Sequence, residues 1–232
     1  MASYFGTNGY DFVWANEYSY VHTAGGDDVI YKNKGSGWIN GGTGTDRLSF
    51  YYSDQRVVVD MENGTATSGT ELSLSFHSIE KISGSNFGDT IYGSSGADVI
   101  SGGGGSDYIH GRAGDDTIYG GAAADSIQGG AGVDQLYGGG GSDVFYFADF
   151  ETGDLFDDQA DTIHGFTDDD AIYIDEDLVF AGAIANPKEG EYSVWQHEGD
   201  YVVSWKKFGE YNDIIVKGDD PTGDVFAAEF IL

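Results

Sequence analysis

Between residues 84 and 146, one large apolar side chain recurs at every ninth position, and most of what lies between is glycine or small and polar. From Gly84 the chain divides without a gap into GSNFGDTIY, GSSGADVIS, GGGGSDYIH, GRAGDDTIY, GGAAADSIQ, GGAGVDQLY and GGGGSDVFY. The eighth place is always large and apolar: Ile91, Ile100, Ile109, Ile118, Ile127, Leu136 and Phe145. The sixth is always aspartate: Asp89, Asp98, Asp107, Asp116, Asp125, Asp134 and Asp143. Each x-apolar-x triplet predicts a very short strand with its middle side chain turned inward. The six residues before it predict a turn, where glycine tolerates positive φ and close backbone approach.

Two such blocks complete one coil of 18 residues with a strand on each side. Coils stacked about 4.8 Å apart place aspartates that are 18 residues apart one above another. Carboxylates so close cannot both stay ionised unless a cation sits between them. Turn carbonyls add further hard oxygen ligands, from Gly96, Gly105, Gly114, Gly132 and Gly141 at the fourth place. A ligand set of many oxygens, without His or Cys, points to Ca²⁺ rather than Zn²⁺. Phe87 and Ala123 stand where that glycine belongs. An alanine at positive φ costs about 1 kcal/mol or more, so weaker or distorted sites are expected at those turns.

A degenerate run comes earlier. GTNGYDFVW, TAGGDDVIY and GGTGTDRLS keep Asp11, Asp28 and Asp46 with Val13, Ile30 and Leu48. The blocks between them, ANEYSYVH and KNKGSGWIN, keep Val21 and Ile39 but carry Tyr20 or Gly37 where aspartate belongs. One side of this stretch therefore retains a metal column and the other is expected to be nearly metal-free. The alternating segment that follows, with Asn63-Gly64 at a turn, predicts a β-hairpin. From Asp46 to Asp89 the spacing is 43 residues, so the hairpin is expected to reset the register. Near the other end, YVVSWKK and NDIIVKG read as paired strands. They would close a roll that otherwise leaves unpaired strand edges. The domains expected are thus 1–49, a partial N-terminal roll; 50–83, the hairpin insertion; 84–146, the main roll; and 147–232, a β-rich C-terminal cap. The fold class is all-β.

Composition sharpens this picture. Forty acidic residues face 10 basic ones, a formal net charge of -30, while 40% of the 232 residues are hydrophobic. The chain is too apolar for a disordered acidic tail, yet it must repel itself strongly. That field excludes nucleic acid and anionic membranes as natural partners. There is no cysteine to staple the fold, no continuous apolar run of about 18 residues to span a bilayer, and no N-terminal stretch that reads as a signal peptide.

The nonapeptide resembles the RTX repeat, G-G-x-G-x-D-x-U-x, of hemolysin-type calcium-binding proteins. The resemblance is to the C-terminal modules of serralysin-type proteases and the R-modules of alginate epimerases. It implies a parallel β-roll with calcium between successive turns on the same side. The ion pairs it implies are Asp89 with Asp107, Asp98 with Asp116, Asp107 with Asp125, Asp116 with Asp134, and Asp125 with Asp143. Asp161, 18 residues beyond Asp143, would close one more site. From this pairing, and with Asp11, Asp28 and Asp46, about six to eight ions are expected. The terminal GDVFAAEFIL, with Glu229 before three apolar residues, resembles a type I secretion signal. An exporter would then be a partner, and the protein would be secreted and extracellular.

Other chemistry is thinly represented. There is no H-E-x-x-H among the five histidines, no G-x-S-x-G and no Walker loop, and the repeat aspartates are already claimed as ligands. A protein without catalysis of its own is expected, acting in matrix, adhesion or host interaction. The alternative is a secretion, stabilising or glycan-binding module of a larger polysaccharide-modifying or proteolytic enzyme. Tyr119 and Tyr137, 18 residues apart, could stack sugar rings of an extracellular polysaccharide. β-Propensity on a solvated strand explains them more simply.

Overall fold

The computed structural model describes residues 2–147, 161–167, 169–174, 179–180, 191–197, 200–207 and 210–217. Over these residues the chain is all-β apart from one 3₁₀ turn at Ala15–Glu17. Successive strands alternate between two walls, one of 11 strands and one of 12. Nearly all pairings within each wall are parallel, so the chain winds as a parallel β-roll. The two walls face each other through the inward apolar residue of each block.

That residue stacks in strict register. Val13, Ile30, Leu48, Ile82, Ile100, Ile118, Leu136, Ile163 and Val216 follow one another along one wall. Ile91, Ile109, Ile127, Phe145 and Ile172 do so along the other. The repeat isoleucines from Ile91 to Ile127 are fully buried. The core is therefore a single file of side chains from each wall, and a truncation has no neighbour free to move in.

The strands are longer than the triplets predicted. Val99–Gly104, Tyr108–Ala113, Thr117–Ala122, Ser126–Ala131 and Gln135–Gly140 are each six residues long. Pairing skips one residue and resumes in the turn, as in Ser101 with Tyr119 and then Gly103 with Gly121. Without a Cβ, stacked turns approach closely enough to keep pairing.

Segment 50–83 differs from the single hairpin expected. Val58–Asp60, Thr65–Ser68 and Leu72–His77 form a three-stranded antiparallel meander. It enters the 11-stranded wall in line, with Gly35–Asn40 pairing on one flank and Thr90–Tyr92 on the other. In the opposite wall, Arg47–Ser49 pairs directly with Lys81–Ser83. Both walls thus run unbroken past the insertion, and the register is kept rather than reset. Arg112 ties the meander to the repeats: its guanidinium donates to both Asp60 carboxylate oxygens, at 2.8 and 3.2 Å, and to the Gly93 carbonyl. Those bonds hold the Asp60 pKa down at about 2.

At the far end, Asp200–Lys207 and Glu210–Lys217 pair antiparallel, and the latter pairs with Asp161–His164. The expected closing strands therefore cover one edge of the roll. Glu229 and the terminal segment lie outside the described residues.

Replacing Ile118 by Ala should cost about 2–5 kcal/mol, read as a lowered urea midpoint in calcium-containing buffer.

Candidate metal centre

The repeat aspartates are nearly all buried, from Asp134 at 0% exposed to Asp98 at 4%. Their backbone and side chains form a ladder. Each aspartate N–H donates to the Oδ1 of the aspartate one coil on: Asp89 to Asp107, Asp98 to Asp116, Asp107 to Asp125, Asp116 to Asp134 and Asp125 to Asp143, all at 2.7–2.9 Å. Asp11 donates in the same way to Asp28, and Asp28 to Asp46. Every aspartate pair expected from the 18-residue stacking is therefore adjacent.

Asp161 is placed otherwise than expected. It accepts from the N–H of Asp134, not Asp143, across 27 residues. Asp170 takes the place above Asp143, also 27 residues on. One extra block length separates the last repeat from these strands, so counting 18 from Asp143 lands in the wrong column. Glu80 was also passed over. Its carboxylate accepts from the Asp46 N–H at 2.9 Å, bridging the early run to the main repeats. Counting 18 back from Asp98 reaches it, and Lys81-Ile82-Ser83 after it is a proper x-apolar-x triplet.

The turns fall into two classes, decided by what meets the second carboxylate oxygen. In the first, a Ser or Thr of the same turn caps the carboxylate through N–H and hydroxyl. Thr7 caps Asp11, Ser85 caps Asp89, Ser94 caps Asp98 and Thr167 caps Asp170. In the second, the second and fourth residues are left-handed instead. The pairs are Ala24 with Gly26, Gly42 with Gly44, Gly103 with Gly105, Arg112 with Gly114, Gly121 with Ala123, Gly130 with Gly132, and Gly139 with Gly141. These turns carry Asp28, Asp46, Asp107, Asp116, Asp125, Asp134 and Asp143. In six of them, those of Asp28, Asp46, Asp107, Asp116, Asp125 and Asp143, Oδ2 is buried and accepts no hydrogen bond.

Two sequence expectations are altered here. Gly96 is not left-handed, because its turn is of the serine-capped kind, with the Gly96 N–H donating to Ser94 Oγ at 3.1 Å. Phe87 is likewise not left-handed, and its N–H donates to Ser85 Oγ. Ala123 does adopt φ 80° and carries the expected strain.

A buried anionic oxygen without a donor is costly, and the site around it suits a hard cation. A Cβ built on Gly120 would lie 2.5 Å from Asp125 Oδ2 and 2.6 Å from the Gly138 carbonyl oxygen. Gly102 and Gly111 stand in the same relation to Asp107 and Asp116 and to the carbonyls of Gly120 and Gly129. Carboxylate and carbonyl oxygens thus converge where glycine leaves space. Proton affinity rises in consequence. Burial is the largest cause, opposed by the ladder N–H and reinforced by neighbouring carboxylates. It pushes Asp107 to about 7, Asp116 to about 8, Asp125 to about 7 and Asp46 to about 6.

On the outer face, Tyr119, Tyr137 and His164 stack ring on ring, with centroids 4.7 and 4.3 Å apart. The rings cover one another's faces, which strengthens neighbouring strands.

A parallel roll with two stacked columns of buried carboxylates defines a cation-loaded repeat protein. Residues 83–118 and 110–145 match the RTX calcium-binding nonapeptide repeat family (4 copies). The chain is an RTX-repeat protein over this segment, and the ion such repeats bind is Ca²⁺. No curated protein matches the chain. Among solved structures, the extracellular lipase LipA from Serratia marcescens is similar over 95% of this chain, at 14% identity and a TM-score of 0.27. The chain spans 38% of that lipase's length. Among the described residues, no helix is long and apolar enough to cross a membrane.

The pH dependence of the metal-free roll follows from the raised carboxylates. Their folded pKa values lie above the unfolded value of about 3.9, so between there and about 8 the folded state binds more protons than the unfolded one. Stability must then fall as pH rises through that window. Urea denaturation in EGTA should give a lower midpoint at pH 8 than at pH 5.

Proposed function

We propose that this is a secreted calcium-binding protein whose roll folds on meeting extracellular Ca²⁺, and that it acts through binding rather than catalysis. The observation that carries the reading is the set of buried Oδ2 atoms without donors, confined to the turns with left-handed backbone. Asp28, Asp46, Asp107, Asp116, Asp125 and Asp143, together with Asp134, whose turn has the same backbone, would supply the carboxylate ligands. The turn carbonyls would complete the shell. A bound Ca²⁺ supplies positive charge between like-charged side chains. The serine- and threonine-capped aspartates Asp11, Asp89, Asp98 and Asp170 bound the columns at or near their ends and contribute as second partners to the turns stacked on them.

The charge balance gives the mechanism. With a net charge of -30, the metal-free chain is driven apart where free calcium is scarce, as in a bacterial cytoplasm. It could then thread a type I exporter unfolded. Outside, ions that bind only the stacked turns add their binding free energy to folding. Catalysis finds little room in this arrangement, because the repeat carboxylates are committed to the ladder. A role in matrix, adhesion or host interaction suits a chain whose ordered surface exists only where calcium is abundant.

Far-UV circular dichroism should show the β signal and cooperative melt only with Ca²⁺, and native mass spectrometry should count about six to eight ions. A chain with full β signal and a cooperative melt in EGTA would overturn this reading. Gly120→Ala, which fills the space between Asp125 and the Gly138 carbonyl, should weaken calcium affinity about tenfold or more by isothermal titration, the cost of displacing at least one ligand.

A further inference from the structure

Lys32 is the largest fully buried side chain, 1% exposed, in a chain that carries only 10 basic residues. Its ammonium meets no carboxylate: among the described residues the one ion pair joins Arg112 and Asp60. Instead, Lys32 Nζ donates to the Ala15 carbonyl at 2.8 Å and the Tyr18 carbonyl at 2.9 Å. Those carbonyls belong to the turn one coil earlier. Burial lowers the Lys32 pKa from its usual value, so the position carries a desolvation cost that the carbonyls must offset.

Its place in the repeat explains the contact. Lys32 opens the block KNKGSGWIN, where Gly84, Gly102, Gly120 and Gly138 open theirs. Gly35, at the fourth place, is left-handed at φ 84°, as Gly105 and Gly141 are. The backbone is therefore that of the open turns, but Gly37 replaces the sixth-place aspartate. In the open turns a side chain at the first place is forbidden because its Cβ would overlap the aspartate oxygen, as at Gly102 with Asp107. Removing the carboxylate clears that room, and the lysine side chain enters it. The loss of the anion and the gain of the buried cation are one structural change.

We propose that the Lys32 ammonium is a resident cation in this turn column. It gathers the carbonyls of the turn at 15–18 onto the turn at 32–35, so that this rung is held without calcium. The proposal rests on the calcium reading above for the remaining rungs. A rung locked by its own side chain gives the roll one fixed step on which calcium-dependent coils can stack.

Hydrogen–deuterium exchange on the full chain tests this. In EGTA, the amide of Trp38, which donates to the Ser19 carbonyl, should exchange at least about tenfold more slowly than those of Tyr108 and Ser126, which donate to Asp89 and Asp107. Lys32→Met should abolish that difference, as expected from burying unpaired carbonyls, whereas Lys32→Arg should retain most of it. Wild-type exchange at Trp38 as fast as at Tyr108, or a Lys32→Met chain with Trp38 still slow, would overturn the proposal. If Lys32→Met does not fold even in calcium, the wild-type comparison in EGTA decides. Slow exchange at Tyr108 and Ser126 in EGTA would count against the calcium reading instead, leaving the Lys32→Met comparison to judge the lysine.

Discussion

Everything in this molecule answers to the stacking of buried like-charged carboxylates one coil apart. A β-roll repeats its geometry at every turn, so any group placed in a turn is placed again directly above itself. An apolar residue gains from this, since each isoleucine packs on the next. An aspartate loses, because burial and its neighbours both oppose its charge. The Asp116 carboxyl, pushed to about 8, shows that the metal-free fold would rather hold a proton there at neutral pH. A divalent ion removes the same conflict without neutralising the oxygens one by one.

Three local devices deal with the second carboxylate oxygen, and they partition the roll. Serine or threonine caps it through N–H and hydroxyl, as Ser94 does for Asp98. Left-handed residues leave it bare toward the space that glycine opens, as at Asp125. In one rung the carboxylate is absent and Lys32 stands in the cleared room. The capped turns include Asp11 and Asp170, at the two described ends of the columns, and the bare ones are concentrated in the middle. Metal dependence is thus graded along the roll by turn chemistry, while the strands and core hardly change.

The insertion illustrates how tolerant this architecture is. A three-stranded meander enters one wall while the other closes over it, with Leu48 beside Ile82. What must be conserved at such a junction is the file of inward side chains and one carboxylate rung. Glu80 supplies that rung. The longer side chain lets a residue outside the nonapeptide pattern reach the Asp46 amide. Arg112 then secures the meander from the neighbouring coil, at a turn position where glycine is the usual choice.

By itself, the sequence determined the repeat, the inward file, the vertical pairing of aspartates and the hardness of the ligand set, because nine-residue periodicity maps linearly onto a stacked coil. The stacking of Tyr119 on Tyr137 was legible for the same reason. The partner of Asp161, the rung at Glu80 and the shape of segment 50–83 were decided only by the tertiary structure. Each depends on which strands meet across an interruption, and spacing along the chain does not record that. Nor did the motif separate capped from bare aspartates or reveal the Lys32 ammonium. Those rest on where single oxygens and one long side chain come to lie between neighbouring turns, at ångström distances that a pattern of residue types cannot carry.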